Sequence, residues 1–192
     1  MRLFTRPLSV LLVSAVVLVG GKFDGPSNAP IKIDLFSDFQ CPHCRELHMG
    51  TLQLLKADYV KTGKVYLTNR DIALPQHQYS RTAALYALAA QQIGRYDEVA
   101  DILFARQNEW SLSGKVDATI AGKLTPSDMT KVRALTSDPK VLAAFDADMA
   151  TAVKKNLGQT PTLLIMHKLR EYPVTDLDYT FMKQFIAQLL TK

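Results

Sequence analysis

At 192 residues and 47% hydrophobic content, the chain can close one sizeable core, and it carries no long polar tract that would keep it unfolded. Its net charge of +5 comes from dispersed Lys and Arg, with no basic run of the kind that neutralises phosphates, so nucleic acid is excluded as an expected partner. The two cysteines lie three positions apart, too few for a closed zinc site and too close together for a staple that removes much chain entropy.

Residues 1–21 open with Arg2 and Arg6, followed by an apolar run from Leu8 to Val19 broken only by Ser9 and Ser14. These are the charged and apolar regions of a signal peptide. About 12 apolar residues fall short of the roughly 20 needed to span a bilayer, although an uncleaved leader can still tether the protein to a membrane. The expected location is periplasmic or otherwise extracytoplasmic, where disulfides persist. Losing Arg2 and Arg6 with the leader lowers the net charge from +5 to +3.

Residues 22–30 hold Gly25, Pro26, Ser27, Asn28 and Pro30 and read as a linker, with the domain spanning 31–192. Ile31 to Phe36 is β-rich and runs through Ser37, Asp38, Phe39 and Gln40 into the cysteines. From Pro42 to about Lys61, Leu47, Leu52, Leu55 and Tyr59 recur at helical spacing, and Gly63 supplies a stop. A second β pattern starts at Val65 and runs toward Ile72 and Leu74, which completes a βαβ unit with parallel strands.

Residues 80–157 are expected to be almost wholly helical, with Pro126 and Pro139 opening helices capped by Thr125 and Asp138. The last of these helices places Val141, Leu142, Phe145, Met149 and Val153 on one side and ends at Gly158. Thr160 to Met166 reads as a buried strand and Tyr172 to Val174 as a short partner, although the 166–170 segment lacks an Asn-Gly turn. Phe181 to Leu190 closes the chain with a helix.

The chemistry concentrates in Cys41-Pro42-His43-Cys44. Disulfide exchange needs one accessible thiolate to attack and a second thiol near enough to resolve the mixed disulfide. With Pro42 in the first helical turn, Cys41 caps the helix N-terminus, where free N–H groups and the helix dipole lower its pKa, and Cys44 lies one turn inward. The His43 imidazole can add a hydrogen bond or a positive charge beside Cys41. His77 and Met49 read as a loop histidine and a helix side chain with no visible partner.

The segments Phe36-Ser37-Asp38-Phe39-Gln40-Cys41-Pro42-His43-Cys44 and Gly158-Gln159-Thr160-Pro161-Thr162 resemble the DsbA-like branch of the thioredoxin superfamily, over roughly residues 30–190. The resemblance implies an α/β, thioredoxin-like fold with a large helical insertion between the βαβ unit and the C-terminal strand-helix unit. It also implies a cis Pro161 packed against the cysteines, with Thr160 offering backbone to an incoming peptide. Asp38 stands where an acid can relay the proton of Cys44, or equally can cap the strand end.

The reading is a protein disulfide oxidoreductase that oxidises thiols of unfolded or reduced exported proteins and exchanges electrons with a membrane re-oxidising or reducing partner. No cofactor beyond the redox-active Cys41–Cys44 pair is expected, and no metal. The alternatives are a reductase or isomerase using the same pair, and a non-catalytic chaperone or metal-binding module drawing on His43 and His48.

Overall fold

The computed structural model describes residues 22–191, so the leader expected over residues 1–21 lies outside them. Among the described residues, no helix is long and apolar enough to cross a membrane. Strand β1 (Phe23–Asp24) falls within the expected linker and pairs antiparallel with Thr68 and Leu67 of β3 (Val65–Asp71). The domain therefore begins before Ile31. What holds this segment is the pairing of its buried charges, Lys22 with Asp148 and Asp24 with Lys56, together with the β1–β3 ladder, and the glycine and proline content that suggested a linker governs only the turn after Asp24.

Strand β2 (Ile31–Ser37) pairs parallel with β3, Ile31 facing Val65 and Ser37 facing Asp71. The helical crossover between them makes the expected βαβ unit. That crossover is not one helix. It runs as α1 (Pro42–Met49), breaks at Gly50, resumes as α2 (Thr51–Leu55) and ends in a π-helical turn over Lys56–Val60.

Six helices follow: α3 (Ser80–Gln91), α4 (Tyr96–Ala105), α5 (Gln107–Trp110), α6 (Val116–Ala121), α7 (Pro126–Leu135) and α8 (Pro139–Lys154). The Thr125 side chain accepts from Asp128 N–H and Asp138 from Lys140 N–H, the caps that the sequence suggests. Helix α8 stops at Lys154, short of Gly158, and Asn156 takes the left-handed conformation with φ 53°. Its inner face also differs from expectation: Val153 is exposed, and Asp148 is buried where periodicity favours an apolar side chain.

The chain returns through β4 (Thr162–His167), antiparallel to β2, and turns at Lys168 and Leu169 into β5 (Arg170–Val174). Lys168 supplies the positive φ, 55°, that a glycine or asparagine would normally provide. Helix α9 (Tyr179–Leu190) starts at Asp178, whose side chain accepts from Thr180 and Phe181 N–H. The sheet order is β1-β3-β2-β4-β5, a thioredoxin-like α/β fold.

Two main cores result. One lies between the sheet and the α1, α2 and α9 helices, built on Ile31, Ile33, Leu52, Ile165 and Ile186. The other fills the insertion, with Leu88, Leu103, Trp110 and Ile120 fully buried, and it takes in Phe39, Cys41 and Cys44. The cysteines thus belong to the insertion's core while being carried by the βαβ unit. Trp110 also donates from Nε1 to Leu103 O at 2.8 Å. Trp110→Ala should lower stability by about 3–5 kcal/mol, read as a lower urea midpoint with little change in slope.

Candidate redox site

Sequence order alone puts Cys41 where β2 has ended and α1 begins. Its backbone is extended, with φ −73° and ψ 122°, and Pro42 occupies the first helical turn. The two cysteines are unbridged. Cys41 is 5% exposed and Cys44 1%, so the sulfur expected to attack is more enclosed than the accessible thiolate read from the sequence. The reason is tertiary: Thr160 O lies 3.4 Å from Cys41 Sγ, and the Thr160–Pro161 peptide is cis, as the resemblance implies.

The Cys41 thiol is lowered to about 5. The largest cause is a hydrogen bond donated by the Cys44 thiol, opposed by burial, with contributions from Thr160 and the backbone N–H groups of Cys44 and His43. Burial pushes the Cys44 thiol the other way, well above its ordinary range, and the charge on Cys41 adds to that. The pair is therefore split into one ionised sulfur and one that keeps its proton.

The His43 ring plays a smaller part than expected. It is largely exposed and its Nδ1 lies 3.3 Å from Glu46 Oε2, so what His43 contributes to Cys41 comes from its backbone N–H. His48 Nε2 pairs with Asp101 at 2.7 Å and its ring packs on Phe104. Among the described residues, no three potential metal-ligating side chains cluster. Met49 is an exposed helix side chain.

Asp38 is fully buried. Its Oδ1 accepts from Gln40 N–H at 2.8 Å and from the Ser80 hydroxyl, and its Oδ2 from Leu74 N–H at 2.8 Å. His77 Nδ1 pairs with Oδ2 at 2.8 Å, so His77 has the partner that sequence reading did not find. Asp38 meets Cys44 through its backbone N–H, which donates to the sulfur at 3.4 Å. This geometry favours the strand-end clamp over the proton relay, because the carboxylate is already saturated.

Gln107, not singled out in the sequence, is buried and donates from Nε2 to Phe39 O at 2.7 Å and Cys41 O at 3.0 Å. Gln40 reaches the other way, from Nε2 to Ser111 O at 2.8 Å, and accepts from Tyr79 N–H. No sequence signal marks Gln107, since its partners lie more than sixty residues away. A groove of about 420 Å³ runs alongside, lined by His43, Glu46, Gln159, Thr160, Pro161 and Asp178.

A family model described as thioredoxin matches residues 19–184. The Na(+)/H(+) antiporter NhaA 3 of Salinispora tropica is 28% identical over 142 residues, covering 73% of this chain and 21% of that protein. The chain thus spans about a fifth of that relative's length. The probable disulfide bond formation protein D of Bacillus cereus is 24% identical over 177 residues, covering 88% of this chain and 78% of that one. Among solved structures, alpha-DsbA1 of Wolbachia pipientis superposes with a TM-score of 0.68 at 19% identity, covering 88% and 89% of the two chains.

Two outcomes follow from the sulfur asymmetry. Iodoacetamide capture of Cys41 should titrate with a midpoint near 5, and His43→Ala should move that midpoint by less than about half a unit, since the ring is not on the sulfur. The unfolded chain protonates this thiol below about 8.5, so between that pH and 5 the unfolded state binds more protons and the reduced fold is stabilised. The stabilisation is complete above about 8.5 and is lost as pH falls through 5. The Tm of the reduced form, measured against that of the oxidised form, should rise over this window.

Proposed function

Because this chain belongs to the thioredoxin family, we propose that it is a thiol-disulfide oxidoreductase that oxidises the thiols of exported proteins through Cys41 and Cys44. The observation that carries this reading is the lowered Cys41 thiol beside a Cys44 that holds its proton. A stabilised thiolate favours the reduced form of the pair, which makes the disulfide a stronger oxidant.

In the oxidising direction, a substrate thiolate attacks Cys41 Sγ of the Cys41–Cys44 disulfide, and the Cys41–Cys44 bond breaks with its electron pair on Cys44. A second substrate thiolate then attacks the substrate sulfur of the mixed disulfide and releases Cys41 as a thiolate. The substrate leaves as a disulfide, and the enzyme is left with two free sulfurs for a membrane re-oxidant to rejoin. The groove beside Thr160 and Pro161 gives an extended peptide a place next to Cys41, with Thr160 backbone available to it. Pro42 fixes the start of α1, so that the backbone N–H groups of His43 and Cys44 face the sulfur.

Equilibration with glutathione tests the direction. An oxidase should give a potential of about −120 to −180 mV, whereas a value near about −270 mV would assign the reductase direction. Cys41→Ser should abolish insulin reduction, and a variant as active as wild type would leave a non-catalytic module as the better account.

A further inference from the structure

We propose that the groove beside Cys41 favours substrates that carry lysine or arginine next to the reacting cysteine, with Glu46 and Asp178 receiving the cation. This names the substrate class of the redox site proposed above and rests on that reading.

The groove is placed to read a substrate's neighbouring residues. Thr160 and Pro161 form part of its wall, and Thr160 O lies 3.4 Å from Cys41 Sγ. A peptide whose cysteine bonds to Cys41 therefore lays its adjoining residues, spaced about 3.3 Å apart when extended, along the groove. Its volume of about 420 Å³ lies within the roughly 300–1,000 Å³ of sites that hold small ligands. Thr160 Oγ1 is buried with no hydrogen-bond partner among the described residues, a polar atom that a bound peptide backbone can satisfy.

The fixed charge in this groove is of one sign. Helix α1 contributes Glu46, and Asp178 stands where the segment after β5 turns into α9. Among the described residues that line it there is no lysine or arginine, although the chain as a whole has a net charge of +5. The acidity is thus local to the groove and is not inherited from composition.

Neither carboxylate is used up by the fold. The Glu46 side chain is 72% exposed, and it meets the likewise exposed His43 ring at 3.3 Å. Asp178 caps α9 through Oδ1, which accepts from Thr180 and Phe181 N–H at 2.8 and 3.2 Å, while Oδ2 has no partner among the described residues. Exposed Asp176 adjoins it, accepting from Asp178 N–H at 3.2 Å, and adds a further negative charge. Leu47 and Leu177 line the same groove. A lysine or arginine suits this combination, since its methylene stem covers apolar surface while its charged head stays in water beside a carboxylate. An aspartate or glutamate in the same place meets like charge.

Selection acts on the first chemical step. The peptide thiolate attacks Cys41 Sγ, a sulfur–sulfur bond forms as the Cys41–Cys44 bond breaks, and Cys44 takes the electron pair. Attraction of the cation into the groove raises the local concentration of that thiolate at Cys41, so a cationic peptide forms the mixed disulfide faster.

The test mixes the full-length oxidised protein with Ala-Lys-Cys-Lys-Ala or Ala-Glu-Cys-Glu-Ala and follows the mixed disulfide at Cys41 by acid quench and mass spectrometry. Each rate is divided by that peptide's rate with hydroxyethyl disulfide, which removes differences in thiolate fraction. The normalised Lys-to-Glu ratio should be at least about five-fold at low ionic strength and should fall towards one at about 0.5 M salt. Glu46→Gln and Asp178→Asn should each lower the ratio and together bring it within about two-fold of one, and asparagine keeps the α9 cap. Glu171→Gln removes an equal charge at the other end of the sheet, where Glu171 faces Met166 and pairs with Lys155, and should leave the ratio unchanged. A wild-type ratio near one, a ratio insensitive to salt, one that survives the double variant, or one that falls as far in Glu171→Gln overturns the proposal and leaves the redox function standing. The salt series is read on wild type alone, so it decides even if a variant does not fold. If neither peptide forms a mixed disulfide with wild type, the redox function fails instead.

Discussion

The hydrogen bond from the Cys44 thiol to the Cys41 sulfur sets the character of the site, and it lasts only while Cys44 keeps its proton. Two identical side chains therefore have to be placed in unequal surroundings. The helix start gives Cys41 backbone N–H groups, and one turn inward the packed core denies Cys44 solvent. The spacing of two residues between them is what lets one helix end serve both needs.

Keeping those surroundings unequal falls to the helical insertion. Its core takes in both cysteines together with Phe39, and its polar groups tie down the loop that carries them. Gln107 holds the carbonyls of Phe39 and Cys41, Ser111 O receives Gln40, and Ser80 and His77 converge on Asp38. Each of these is a buried or half-buried polar group matched to a partner distant in the chain, so displacing the insertion would leave several without one. The insertion is thus part of the site and more than a cover over it.

Beneath the cysteines lies a second polar layer of Lys22, Asp71, Tyr96 and Asp148, drawn from the segment ahead of β1, from β3, from α4 and from α8. Burial of so many charges is unfavourable unless each is paired. The residue before β1 belongs to this layer, which explains why the segment from Lys22 joins the sheet although its composition reads as a linker. The same layer explains Asp148 on the inner face of α8, a position that helical periodicity would fill with an apolar side chain.

The sequence by itself determined the elements whose causes are local. The β pattern of β2, Pro42 after Cys41, the Thr125 and Asp138 caps and the apolar spacing of the insertion each act within a few residues, so they were legible in order. The cysteine motif was legible for the same reason, since its chemistry needs only a helix start and a two-residue gap. Tertiary structure alone decided what Asp38, His77, Gln107 and Asp71 do, because their partners are distant in the chain. The polar run Thr68-Asn69-Arg70-Asp71 inside a β pattern was a signal of buried charge, but not of which charge. It also decided the direction of the His43 ring, the break at Gly50 and the enclosure of Cys41. A side chain's burial and partners depend on which surfaces the fold brings together, and that information is spread over the whole chain.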